Sequence, residues 1–119
     1  MAEPVFPEIN ASVEATTPET LKQHIDSGDS VAILDTRARA NFDTWHIEAP
    51  NVTNVNIPYF DFLDGLTDDL ESKLPDGEPT YVVCAKGKSS EFVAGLLTEA
   101  GYEATNLEYG MRGWARLYE

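Results

Sequence analysis

Short apolar runs alternate with amphipathic stretches along this chain, and turn residues close most of them. Val31-Ala32-Ile33-Leu34 is unbroken by a polar residue, which suits a strand buried on both faces. Val52 to Ile57, closed by Pro58, predicts a second strand; Thr80 to Cys84 and Glu103 to Leu107 predict two more. A further short strand is expected near Ala11 to Ala15. Helical patterns lie between them. Thr17-Pro18-Glu19 reads as N-cap, first helical position and first-turn acid; Leu21 and Ile25 share a face, and Gly28 is a stop. Residues 38–45 predict a short helix with Phe42 and Trp45. Tyr59 to Leu74 predicts two helical pieces with Thr67 as the cap between them, followed by a turn cluster from Pro75 to Pro79. Phe92, Val93, Leu96, Leu97 and Ala100 line one face of a longer helix that Gly101 ends. Gly110-Met111-Arg112-Gly113-Trp114 leads into a last short helix. Strands alternating with helices imply an α/β domain with a mainly parallel sheet and right-handed crossovers. Sites in such folds form at the carboxyl ends of strands, where Cys84 and Asp35 both fall.

Cys84 carries the chemistry. It is the only cysteine, it ends the run Tyr81-Val82-Val83, and the polar loop Ala85-Lys86-Gly87-Lys88-Ser89 follows it before a helix begins at Ser90. Strand, tight loop, helix start is an order that aims backbone N–H groups and the positive helix end at the sulfur. Such a site lowers a thiol's pKa and holds an anion beside it. A lone cysteine is ordinarily a small buried hydrophobe. A core cysteine gains nothing from a cationic loop, whereas a thiolate gains donors and opposite charge. Lys86 and Lys88 read either as solvated lysines or as partners of an anionic donor. Gly87 is a turn glycine or part of a cradle around the sulfur. Ser89 and Ser90 are helix caps or neighbours of the sulfur, and the two roles are compatible.

The length of 119 residues makes one domain with a core that needs no staples. One cysteine permits no internal disulfide and supplies no resolving thiol, so chemistry at Cys84 must finish on an external thiol, nucleophile or protein. No signal-peptide pattern and no membrane-length apolar run is present, so the expected setting is cytoplasmic. The net charge of −13 argues against nucleic acid and against anionic membranes as partners. The 21 acidic residues are spread along the chain rather than gathered in a tail. That distribution favours adaptation to high salt, in a halophilic source, over a basic protein partner.

Asp35-Thr36-Arg37 reads first as a structural ion pair at a strand end, and second as a catalytic group. His46 reads as a satisfied structural histidine and His24 as an exposed one. One cysteine and two separated histidines give no metal-ligand spacing, and no glycine-rich nucleotide pattern occurs, so no cofactor is expected.

Asp35-Thr36-Arg37, Phe42, His46-Ile47, Asn56-Ile57-Pro58, Cys84 to Ser90, Gly101-Tyr102 and Gly110 to Trp114, in this order and spacing, resemble a single rhodanese domain over about residues 16–118. Residues 1–15 are then an N-terminal lead-in, and 16–119 the domain. The resemblance implies a three-layer fold, a mainly parallel five-stranded sheet with helices on both sides. It implies sulfurtransferase chemistry through a persulfide on Cys84, with Cys84 to Ser89 as the six-residue active-site loop. It makes Ala85, Lys86, Gly87, Lys88, Ser89 and Ser90 substrate-binding, and Asp35 and Arg37 supporting. Ser89 stands where many members carry Arg, and Trp45 where a Gly usually precedes the His. Related cysteine phosphatases need a longer loop ending in Arg, and here Ser90 stands at the sixth position after Cys84.

The expected reaction moves sulfur from an anionic donor such as thiosulfate to cyanide, a thiol or a protein, in a monomer without cofactor or metal. The alternative is a sulfur-carrier or regulatory module with little turnover of small donors. The end at Arg116-Leu117-Tyr118-Glu119, directly after the last predicted helix, suggests a module of a larger fusion.

Overall fold

A computed structural model of the chain describes residues 12–75 and 79–118. Its strands are β1 (Glu14–Thr16), β2 (Val31–Asp35), β3 (Val52–Asn56), β4 (Thr80–Val83) and β5 (Ala104–Leu107). Its helices are α1 (Pro18–Asp26), α2 (Arg39–Thr44), α3 (Asp68–Glu71), α4 (Ser89–Glu99) and α5 (Gly110–Arg116), with a 3₁₀ turn at Tyr59–Phe62. The strands form one sheet in the order β1-β5-β4-β2-β3, and every pairing is parallel. The strand that leads to Cys84 is therefore the central one.

Both sheet faces are covered, which is why β2 could be apolar without alternation. All five of its residues are buried. Val31 and Ile33 point to a core with Leu21 and Ile25 of α1 and Met111 and Trp114 of α5. Leu34 joins the opposite core with Val82, Phe62 and the α4 residues Phe92, Val93 and Leu97. Each such side chain contributes roughly 1.5–3 kcal/mol by leaving water. The result is a three-layer α/β arrangement, with helices on both sides of a five-stranded parallel sheet.

The element pattern holds with local corrections. The first strand lies at Glu14–Thr16, because its register is set by pairing with Thr105–Leu107; Ala11 lies outside the described residues. The turn cluster from Pro75 to Pro79 is described only at its two prolines. Helix α2 stops at Thr44, and Trp45 is extended backbone with a ring 41% exposed. On α4 the buried set is Ser90, Phe92, Val93, Ala94, Gly95 and Leu97. Ala100, expected on that face, is an exposed C-cap, since the helix has reached the edge of the layer.

Candidate active site

Cys84 is the first residue after β4 and is only 4% exposed. Its Sγ accepts a hydrogen bond from the Gly87 backbone N–H at 3.0 Å and faces the Ser90 hydroxyl at 3.1 Å. Gly87 has φ +100°, a conformation L side chains rarely adopt, and an added Cβ would sit 2.9 Å from the Tyr109 backbone nitrogen. The loop can curl under the sulfur only with glycine there.

Burial pushes the Cys84 thiol up, but hydrogen bonding wins. The Ser89 and Ser90 side chains and the Ser90 and Gly87 backbone N–H groups together hold it below its ordinary value. The expected cause was partly the two lysines; the observed cause is hydrogen bonding to the thiolate. Lys86 and Lys88 are exposed and contribute no such bond. Nor do the serines act as N-caps. Lys88 occupies the N-cap position without a side-chain cap bond, and the Ser90 hydroxyl turns toward the sulfur instead.

Lys22, Arg37, Arg39 and Lys73 are paired with Asp26, Asp35, Asp43 and Asp69 at 2.8–3.2 Å. Among the described residues, Lys86, Lys88, Arg112 and Arg116 form no ion pair. The first two are in the loop and the others on α5, which packs against it. A groove of about 410 Å³ runs beside the loop from Ala85 past Met111 and Arg112 to Trp45 and Arg37. A larger cavity of about 630 Å³ between Trp45, His46, Trp114 and Tyr118 includes no loop residue.

Three elements brace the loop from outside. The first turn of α5 donates Met111 N–H to the Cys84 carbonyl at 2.7 Å and Arg112 N–H to the Ala85 carbonyl at 3.0 Å. Thr36, fully buried, donates both its backbone N–H and its hydroxyl to the Val83 carbonyl at 2.8 and 2.9 Å. From β5, Asn106 Nδ2 donates to the Gly87 carbonyl at 3.0 Å, and its Oδ1 accepts from the Ser90 hydroxyl at 2.5 Å.

Asp35 and Arg37 form an ion pair with each other rather than with the sulfur. The buried Asp35 carboxylate takes Arg37 Nη2 at 2.8 Å, Nε at 3.0 Å and the Arg37 backbone N–H at 3.0 Å. Arg37 Nη2 also reaches the Trp45 carbonyl at 2.6 Å, tying the end of α2 to the strand. Arg37→Ala would leave that carboxylate buried without its cation. We expect a loss of about 3 kcal/mol of stability, read as a lowered urea midpoint, with an Arg37→Lys variant recovering only part of it.

His46 stacks on Phe42 with centroids 4.0 Å apart and bonds the Phe42 carbonyl through Nδ1 at 2.7 Å; His24 lies 3.3 Å from Asp29. Neither reaches the loop in any recorded contact. Among the described residues no cluster of His, Cys, Asp or Glu could hold a metal ion.

Sequence reasoning missed Asn106, Thr36, Gly110 and Arg112 as parts of the site. Only Asn106 left a signal: an amide in a strand beside Leu107 and on the same face as Ala104, where an apolar residue belongs.

The chain belongs to the rhodanese family: a Rhodanese-like domain model matches residues 17–117. It is 31% identical over 91 residues to the thiosulfate sulfurtransferase GlpE of Tolumonas auensis, covering 75% of this chain and 76% of that protein. It is 30% identical over 105 residues to YrkF of Bacillus subtilis, which bears the provisional name of a sulfur carrier protein. That match covers 87% of this chain but 52% of YrkF, so the chain spans about half the length of that relative. Among solved structures, a rhodanese-like domain protein of Staphylococcus aureus superposes with a TM-score of 0.68 at 31% identity, covering 86% of this chain and 91% of that one.

Proposed function

We propose that this protein is a thiosulfate-type sulfurtransferase whose nucleophile is Cys84. The observation that carries the reading is the sulfur's surroundings. Two donors lie about 3 Å from a buried Sγ, and unpaired cations stand on the loop around it. The Cys84 thiolate attacks the outer sulfur of thiosulfate. The S–S bond of the donor breaks, sulfite leaves with the electron pair, and Cys84 holds a persulfide. The amides of the loop from Ala85 to Ser90 stabilise the anion, since they are already oriented and need not reorganise. Lys86 and Lys88 attract the dianionic donor. Cyanide, a thiol or a protein nucleophile then attacks the outer sulfur and releases the Cys84 thiolate. No proton transfer is required, because both resting and loaded sulfur are anionic. Asp35, Thr36 and Arg37 hold the neighbouring backbone and take no chemical part.

Intact mass after incubation with thiosulfate tests the reading. One added sulfur per chain, removed by cyanide with release of thiocyanate, is expected. No added sulfur from thiosulfate, mercaptopyruvate or a persulfide donor would end it. Loading without turnover would favour the carrier reading, which the likeness to YrkF supports.

We also propose a cytoplasmic, high-salt setting, where thiols stay reduced and dense carboxylates keep the protein in solution. Among the described residues, no helix is long and apolar enough to cross a membrane. With net charge −13, self-repulsion opposes the folded state at low ionic strength. The melting temperature is expected to climb as KCl is raised toward molar concentration. A flat curve would remove the halophilic assignment.

A further inference from the structure

Two of the groups that hydrogen-bond the sulfur, the Gly87 N–H and the Ser90 hydroxyl, are themselves held by one side chain. Gly87 supplies the N–H at 3.0 Å from Sγ, and its carbonyl accepts from Asn106 Nδ2 at 3.0 Å. Ser90 supplies the hydroxyl at 3.1 Å, and the same oxygen lies 2.5 Å from Asn106 Oδ1. Asn106 is 3% exposed and sits on β5, a strand that contributes no other side chain to the loop's hydrogen bonds. We propose that Asn106 is a positioning residue for sulfur transfer: it fixes the tip of the loop and the first turn of α4 relative to each other, so that both donors converge on the sulfur.

Three observations carry this. First, the amide's orientation is determined. Its NH₂ must face the Gly87 carbonyl, since an oxygen there would oppose an oxygen, so Oδ1 must face Ser90. Second, both polar groups of the amide are committed to the site. A buried amide costs stability unless its groups are paired, and here each recorded bond goes to the loop or to the helix start. Third, the loop cannot hold itself. Positive φ at Gly87 leaves its peptide groups without helical partners, and the Asn106 bond is the one recorded for its carbonyl.

Ser90 has one proton and two acceptors, Asn106 Oδ1 and Sγ. With Cys84 a thiol, its S–H can donate to Ser90 Oγ while Ser90 donates to Asn106. With Cys84 a thiolate, the Ser90 proton turns to the sulfur at the expense of its bond to Asn106 Oδ1, and Asn106 then holds the loop through its bond to the Gly87 carbonyl. The amide thus has two opposing effects: it aims the donors, and it competes for one proton. The proposal is that aiming dominates.

The inference rests on the sulfur-transfer reading, but its principal readout does not. The measurement is the pH dependence of iodoacetamide alkylation of Cys84 in wild type and Asn106→Leu, which keeps the branched shape and removes both bonds. The charged groups on the surrounding elements are Asp35 at the end of β2 and Arg37 just after it, Lys86 and Lys88 in the loop, Glu91 on α4, and Glu108 and Arg112 beside or on α5. The variant leaves all of them in place. The alkylation midpoint is expected to rise by about one pH unit, as for a thiolate losing one good donor. The value of kcat/KM for thiosulfate should fall roughly tenfold, since sub-ångström misplacement is enough. A midpoint unchanged in a folded variant would overturn the proposal, and a lowered one would mean that proton competition dominates. Should Asn106→Leu not fold, Asn106→Ala removes both bonds without adding bulk or charge. Its midpoint must also rise, and an unchanged one counts against the proposal. If wild type accepts no sulfur from any donor, the sulfur-transfer reading fails while the alkylation profile still decides the role of Asn106 in the cradle.

Discussion

Cys84→Ser protein is expected to fold, melt within about 1 kcal/mol of wild type, and acquire no sulfur from thiosulfate. Serine is close in size to cysteine, and the Gly87 N–H and Ser90 hydroxyl that serve the sulfur can serve an alcohol oxygen as well. The alcohol is not ionised at neutral pH and is no nucleophile without a base, and among the described residues no histidine or carboxylate hydrogen-bonds position 84 to supply one. Mass, thiocyanate release and circular dichroism decide it. Sulfur retained by the variant would place the chemistry elsewhere, which a chain with one cysteine makes hard to accommodate. The depressed pKa also has a sign in stability. Because the folded thiol ionises at lower pH than the unfolded one, ionisation favours the fold above the unfolded pKa. That contribution fades as pH falls through the folded pKa. Cys84→Ser should lose this alkaline gain.

Gly110→Ala is expected to be the most damaging single methyl in the molecule. A Cβ on Gly110 would lie 2.3 Å from the Cys84 carbonyl oxygen, 2.7 Å from the Ala85 carbonyl carbon and 2.8 Å from its oxygen. All three are backbone atoms, so no rotamer change relieves the overlap. The residue also has φ +53°. Either α5 lifts off, losing the Met111 and Arg112 bonds to the loop, or the loop moves away from its donors. We expect a cost on the order of 4 kcal/mol, a melting point lower by about 15 °C, and loss of sulfur loading. Gly101→Ala is the control. Gly101 has φ +94° but open space where the Cβ would go, so it should show only conformational strain of about 1–2 kcal/mol and keep its activity. If the two variants behave alike, α5 does not clasp the loop as described.

The difference between these glycines was not legible in the sequence, and the reason generalises. Gly101 follows an apolar-periodic run and announces itself as a helix stop; Gly110 is defined by atoms 25 and 26 residues earlier in the chain. Most strands and helices, and Cys84, are local patterns that alternation and turn residues place, whereas the first strand takes its bounds from pairing with β5. The cradle's backbone donors followed from strand, loop and helix in sequence. The braces did not, because they are relations between β4, β5, β2 and α5. Thr36 looks like the middle of an Asp-x-Arg pair, and its bonds to Val83 depend on which strand lies next to β2. The lysines were legible as charges but misassigned as a cause of thiol acidity, since charge is visible in a sequence and hydrogen-bond direction is not.

Met111 and Arg112, which hold the carbonyls of Cys84 and Ala85, come last among the groups that complete the site. During synthesis the cysteine leaves the ribosome well before its clasp does. Until then β4 has neither β5 beside it nor α5 beneath it, and every strand pairing is parallel and must wait for its crossover. A nascent Cys84 is therefore an ordinary thiol, no more nucleophilic than any unfolded cysteine. The thiol gains its acidity only once α5 has emerged and docked on the loop, so that acidity is a late property of assembly and a product cut short before Gly110 carries an unactivated thiol.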